Sequence, residues 1–282
     1  MSFAQKGRIS VSSWSLHRRL GPVWNYLPGG MESVQAETPY GNGQTSLLDL
    51  PAELRAHNIF NLEICSFHLE SLSQSYLDEL KSSLKQAGVG LQTLLIEAGD
   101  PASAETGERD IGFMQEWVES AAYLDAGHAR VIAGKQAPTR ENLERALRNL
   151  VTLAERVQHL PVKLVTENWF SLLSGPDETN WLLDRANGLI GLNGDLGNWP
   201  APHKYEGLKQ IMGRAILCHA KAGFSGGKLD EDDFGRSISI SEEAGYRGPY
   251  TLIYDSGDLP EWDGLQIEKD FIEGRISLPA VA

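Results

Sequence analysis

The sequence predicts an α/β fold, a single (β/α)8 barrel of the TIM type over residues 1–282. Three observations carry that expectation. Short apolar or β-branched runs alternate with helical patterns eight times along the 282 residues, and such alternation signals a parallel sheet. Eight units in a chain of this length suit one closed barrel, which commonly takes about 250 residues. The last four strand patterns end at Glu167, Asp195, His219 and Asp255, and in a closed parallel barrel such ends meet on one face.

The first strand, residues 9–14, alternates apolar with small polar residues up to Trp14, and His17 follows. Residues 20–45 then make a connection longer than a plain turn. Loops of that length are functional or disordered, and Trp24, Tyr26, Met31 and Tyr40 argue against plain disorder. A lid or pocket wall is expected there, or equally a contact in a homo-oligomer. A helix over 48–57 takes Pro51 in its first turn, where the missing N–H costs nothing. The second strand, 61–66, carries Glu63 and Cys65 on one face and closes on His68. The helix over 73–87 sets Tyr76, Leu77, Leu80 and Leu84 at helical spacing and stops at Gly88. The third strand, 91–97, ends in Glu97. A helix over 111–124 leads to the fourth strand, 129–134, with Lys135 directly after it. Thr139 caps the next helix, 139–159, with Glu141 and Glu144 near its positive end.

Strand five runs from Leu164 through Val165 and Thr166 into Glu167, Asn168 and Trp169. A buried strand has no reason to finish on a charge unless that charge has a partner. A helix from Pro176 leads to strand six, 189–195, which ends in Asp195 and is followed by Asn198 and Trp199. A short helix over 205–212 precedes strand seven, 215–219, with Lys221 two residues on. A helix over 230–244, the turn 245–249, strand eight at 250–255 and a closing helix over 262–272 complete the pattern. A doubly wound open sheet is the competing architecture. It needs a Gly-rich phosphate turn after strand one, and residues 13–17 are nothing like one.

Hydrophobic residues make up 41% and charged residues 22% of the chain, an ordinary globular composition. The net charge of −13 argues against a nucleic-acid partner, which favours a basic face. It fits a neutral or cationic small molecule. Cys65 and Cys218 sit in strand patterns, where a thiol acts as a small hydrophobe. They form no disulfide framework and no zinc-spaced pair. The first residues lack a hydrophobic signal core and no run matches a bilayer span. A cytoplasmic protein without a membrane partner is expected.

Three carboxylates and an imidazole round one point suit one divalent cation such as Mn, Mg, Co or Zn. Taken singly, a strand-end acid is more often a cap or surface charge, and a lone His a satisfied core residue. Four at the same end of consecutive units reverse that preference. Lys221 should face the same way as His219 and is a candidate to support an oxyanion; a salt bridge to Asp195 or Asp255 is an equal alternative. His68 is a second acid–base candidate. Trp14, His17, Lys135, Asn198 and Trp199 are candidates for substrate contact. An indole packs well on the apolar face of a sugar ring, but is equally at home as a core plug. Glu97 and Lys135, at the ends of strands three and four, have mutual pairing as their structural reading.

Four stretches carry a family resemblance: residues 166–169, Asp195 with Asn198 and Trp199, His219 with Lys221, and the Gly-Tyr-Arg-Gly-Pro turn at 245–249. They resemble the xylose isomerase-like barrel superfamily, which includes many sugar phosphate isomerases and epimerases. The resemblance spans most of the chain, and its specific part lies in the second half. It implies that Glu167, Asp195 and His219 are three ligands of one divalent metal. The family's fourth ligand, a strand-eight Glu, usually falls four residues beyond the Pro of that turn. Here that position is Ile253. Asp255, two residues on, is the candidate replacement, or else a substrate-contacting group. In the epimerases the strand-five and strand-eight carboxylates act as acid and base on opposite faces of the substrate. The departure at Ile253 weakens two-base epimerisation and leaves one-base isomerisation or β-elimination open. The implied activity is isomerisation or epimerisation of a small sugar or polyol. The metal polarises a carbonyl, Glu167 removes the proton alpha to it, and the metal stabilises the enediolate charge. A lyase or dehydratase on a keto-sugar or keto-inositol, and a non-catalytic sugar-binding barrel, are the alternatives.

Overall fold

A computed structural model describes residues 7–28 and 36–276. Its barrel strands are β1 (Ile9–Ser12), β2 (Asn61–Cys65), β3 (Gly90–Ile96), β4 (His128–Val131), β5 (Lys163–Glu167), β6 (Gly191–Asp195), β7 (Ala215–Lys221) and β8 (Tyr250–Ile253). Each pairs in parallel with the next, and β8 pairs back with β1, so the barrel is closed. The helices that link them are α1 (Leu50–Ala56), α2 (Gln74–Ala87), α3 (Gly107–Tyr123), α4 (Arg140–Val157), α5 (Pro176–Arg185), α6 (His203–Ile211) and α7 (Glu231–Glu243), and α8 (Glu261–Glu273) follows β8. Among the described residues no helix is long and apolar enough to cross a membrane.

Helix boundaries follow from local chemistry. Ser73, Thr139 and Asp230 each accept a backbone N–H of the first turn that follows, at α2, α4 and α7. Such caps satisfy donors that the helix itself cannot. Gly88 ends α2 with φ of +68°, a conformation that costs a side chain about 1–2 kcal/mol. The inner stripe of α4 is Leu143, Ala146, Leu150, Leu153 and Val157, all buried. Each fully buried leucine of this kind contributes about 1.5–3 kcal/mol.

Two features of the sheet position the site. Between β2 and β3 the register shifts at Leu62/Glu63, so Glu63 pairs with Thr93 and Gln92 is the extra residue. A bulge of this kind re-aims side chains, and here both Gln92 and Thr93 bond to Glu63. The closure of β1 on β8 is tied by Ser15, whose hydroxyl donates to Leu252 O at 2.9 Å and accepts from Tyr254 N at 3.0 Å.

Three strand ends fall short of the sequence expectation by two residues or more. β1 stops at Ser12, because the Ser12 hydroxyl accepts Trp14 N–H and turns residues 13–16 into a 3-10 helix. Trp14 therefore stands on a turn. β4 stops at Val131, which leaves Lys135 four residues beyond it, and β8 stops at Ile253, which leaves Asp255 outside the sheet.

In the long connection after β1, Val23 bridges to Glu37, Trp24 N donates to Phe67 O, and the Tyr26 hydroxyl donates to Leu69 O. This part of the connection is strapped to the β2–α2 loop and forms a wall. Trp24, Leu47, His68 and Tyr76 line a cavity of about 440 Å³ behind it. Met31, named with this loop, lies outside the described residues.

Candidate metal centre

Glu167 and Asp195 end β5 and β6, and His219 sits beside Asp195 in the β6–β7 register. Asn168 splints this edge: its Oδ1 accepts Asp195 N–H at 2.7 Å and its Nδ2 donates to Asp195 O at 3.0 Å. Oδ1 of Asp195 accepts the N–H groups of Gly197 and Asn198, at 2.6 and 2.7 Å. Its Oδ2 stands 3.7 Å from His219 Nδ1, and Glu167 Oε2 stands 3.5 Å from the same nitrogen. Asn198 Nδ2 donates to Glu167 Oε1 at 2.8 Å, and Asn193 Nδ2 reaches Oε2 at 3.3 Å.

Two further buried side chains grip this group from the first half of the chain. Glu63 is fully buried, and its Oε2 lies 2.8 Å from His219 Nε2. Arg130 is 2% exposed; its Nε lies 3.2 Å from Glu167 Oε2 and its Nη2 donates to Glu97 Oε1 at 2.6 Å. Burial alone pushes the His219 imidazole down, but Glu167 and Glu63, with Asp195, outweigh it and raise it well above its ordinary value. Burial pushes Glu167 up, yet His219 and Arg130 bring it down to about 2. Both directions have one cause, opposite charges packed together where water cannot screen them.

Residues 167, 195 and 219 fit a divalent cation. One donor atom from each lies within 4.8 Å of the others, and all three residues are buried. Ligands about 2.1 Å from one ion stand roughly 3.0–3.4 Å apart, close to the 3.5 and 3.7 Å found here. The donors are two oxygens and one imidazole nitrogen, a set that suits Zn, Mn or Co.

The group opens into a cavity of about 290 Å³, walled by Trp14, Phe67, Trp169 and Ile253, with Lys221 and Asp255 at one side. Asp255 is not part of the group of three. Its Oδ2 pairs with Lys221 Nζ at 3.2 Å and its Oδ1 accepts Trp14 Nε1–H at 3.1 Å. Two residues past the end of β8, it reaches sideways to the rim. Ile253 lines the cavity in its stead. Burial pushes the Lys221 ammonium down, but Asp195 and Asp255 raise it above its ordinary value.

The other sequence candidates divide. Trp14 and Asn198 line the cavity. Trp199 does not: it is 7% exposed, its Nε1–H donates to Leu173 O at 3.0 Å, and its ring leans on Gly207, where a Cβ would come within 2.5 Å of it. It is a core plug. Lys135 is exposed, with its Nζ over the Phe170 ring at 5.5 Å, and Glu97 pairs with Arg130 instead. His17 is buried behind Trp14, stacked on its ring at 4.4 Å, with Nδ1 2.6 Å from Trp14 O. His68 bonds Ser13 Oγ through Nδ1 at 2.8 Å and faces the second cavity. Sequence reasoning missed Arg130 and gave Glu63 little weight. The available signal was a charge flanked by apolar residues inside a strand, which requires a buried partner.

The fold is that of the xylose isomerase-like TIM barrels. The structure resembles a xylose isomerase-like TIM barrel protein from Mycobacterium smegmatis solved in complex with magnesium, with a TM-score of 0.66 and 16% identity over 97% of this chain and 98% of that one. It also resembles a D-allulose 3-epimerase from Methylomonas sp., with a TM-score of 0.71 and 13% identity over 98% of this chain and 100% of that one. An IolI protein with a bound zinc atom superposes with a TM-score of 0.69 and 15% identity, over 96% of this chain and 99% of that one. No protein-family model matches the chain, and no curated protein matches its sequence.

Proposed function

We propose that this protein is a divalent-metal-dependent isomerase of a small neutral sugar or polyol, working with one carboxylate base. The observation that carries the reading is the convergence of Glu167, Asp195 and His219 at the floor of a cavity of about 290 Å³. The epimerases of free sugars that share the fold support it. One divalent ion (magnesium, manganese, cobalt or zinc) is the expected cofactor, held by those three residues.

When bound, the cation supplies a Lewis acid for the substrate carbonyl. Glu167 takes the proton from the carbon alpha to that carbonyl. Arg130 and His219 keep its carboxylate ionised, and Asn198 on Oε1 fixes its plane. Lys221 offers N–H to the oxygen on which charge develops. Asp255 holds that ammonium, and Trp14 holds Asp255. Trp14, Phe67 and Trp169 exclude water and give the C–H face of a sugar an apolar wall. Both cations of the cavity, Arg130 and Lys221, are already paired, so a neutral substrate fits better than a phosphorylated one.

One observation favours a second reading. Ile253 lines the cavity where the resembling family carries a carboxylate, and the nearby ionisable pair is Lys221 with Asp255. A carboxylate base with an ammonium acid also suits β-elimination of water. Incubating neutral ketoses and cyclic ketopolyols with the metal-loaded protein in D₂O separates the two. Deuterium at one carbon with the substrate otherwise conserved is the isomerase result. Loss of water is the lyase result. A bound ion with neither reaction across the panel overturns both and leaves a sugar-binding barrel.

A further inference from the structure

We infer that Glu63 is the positioning residue of the metal centre: its carboxylate selects the His219 tautomer that leaves Nδ1 free for a cation. The inference rests on the metal reading above and deepens it.

Both oxygens of Glu63 are committed. Oε1 accepts from Gln92 Nε2 at 2.7 Å and from Thr93 Oγ1 at 2.8 Å, and Oε2 meets His219 Nε2 at 2.8 Å. An ionised carboxylate only accepts, so the hydrogen of that contact belongs to Nε2. A neutral ring then presents its lone pair on Nδ1, the nitrogen that faces Glu167 and Asp195. Gln92 is itself tied, donating also to Thr251 Oγ1 at 3.0 Å. Strands β3 and β8 thus hold Glu63, and Glu63 holds the ring on β7. As a purely structural device this is a costly choice. A fully buried carboxylate loses its water, and apolar replacements of buried ion pairs are often neutral or stabilising. Orienting a ligating imidazole through its second nitrogen is the use that such a carboxylate serves in metal sites.

The arrangement makes Glu63→Gln a severe change despite its equal size. Gln92 and Thr93 both donate, so they draw the amide oxygen of the new side chain toward themselves. Its NH₂ then meets His219 Nε2, donor against donor. The ring escapes by moving its proton to Nδ1, where it blocks the cation.

The test titrates Zn²⁺ or Mn²⁺ into chelator-treated wild type and Glu63→Gln by calorimetry, with thermal melts of both proteins free of metal. The expected result is an affinity about 10- to 100-fold weaker in the variant, with a cooperative melt retained. Equal affinities overturn the inference and leave the metal reading standing. A wild type that binds neither ion overturns both. Proton NMR of the Co²⁺-loaded wild type needs no variant to fold. One metal-shifted, slowly exchanging ring N–H from His219 is expected, and its absence overturns the inference.

Discussion

Arg130 and Glu167 form a buried ion pair, Nε to Oε2 at 3.2 Å, whose N–H is not aligned for a hydrogen bond. The guanidinium is shared with Glu97 and lies over the Trp169 ring at 5.1 Å. It is the one cation that touches Glu167 among the described residues besides His219. Replacing it leaves the buried Glu167 with His219 alone and takes the cation from the half-buried Glu97. Arg130→Met should lower the stability of the metal-free protein by about 3–5 kcal/mol, read from urea denaturation. Saturating Mn²⁺ should recover part of that loss, because an ion that binds only the folded state stabilises it.

The rim pair and the floor group should separate on mutation. Asp195→Asn should abolish measurable cation binding, and Asp255→Asn should leave it near the wild-type value, both read by calorimetry. Lys221→Met should keep the cation and lower kcat about 100- to 1,000-fold, the usual cost of one donor to a developing oxyanion. A cation lost with Asp255→Asn would return that residue to the ligand set.

Trp199 tests the distinction between plug and substrate wall. Trp199→Ala should cost about 3–5 kcal/mol of stability through the cavity it leaves. Cation affinity should hold in whatever fraction stays folded, and KM should not change. A KM effect with unchanged stability would place the indole in the substrate site.

His68 should make the protein acid-sensitive. Burial, with His17 nearby, pushes its imidazole down to about 3. The unfolded ring takes its proton near 6.5, so between those values the unfolded state binds more protons and stability is lost as the pH is lowered. The loss from this residue amounts to about 2 kcal/mol by pH 5, at about 1.4 kcal/mol per unit. His68→Leu should flatten the acid limb of the stability profile between pH 6.5 and 4.

Glu268 acts in the opposite direction. It is fully buried in α8, both its oxygens lack partners, and burial raises its carboxyl well above the ordinary value. The folded state keeps the proton that the unfolded state releases above about pH 4.5, so this residue costs stability as pH rises. Glu268→Met should raise Tm more at pH 8 than at pH 4.

The barrel was legible because period-two strands and period-3.6 helices write themselves into local sequence, and Gly88 and Thr139 mark their own boundaries. The floor group was legible for a similar reason: a strand such as 163–167 that ends in a carboxylate announces a partner. What stayed hidden was the identity of partners. Glu63 and His219 are 156 positions apart, and no local pattern links them. Lys135 and Glu97 looked like neighbours only because β4 was read too long; its real end at Val131 swings Lys135 out to solvent. Asp255 was likewise read as a strand end, and lies two residues past the end of β8, beside Lys221. Trp199 shows a different limit, since a Trp after a ligand reads alike as wall or plug until Gly207 is seen beneath it.

Ser15 clasps Leu252 and Tyr254, residues 237 and 239 positions further along the chain. That clasp sets the order in which the molecule can form during synthesis. Pairings between such distant segments close late, because their loops must be organised first. Until β7 emerges, Glu63 lies in a growing chain with its partner His219 still unmade, so a half-synthesised barrel has no finished cradle in which to trap an ion. Assembly of the centre coincides with completion of the cylinder, and the nascent chain stays inert until then.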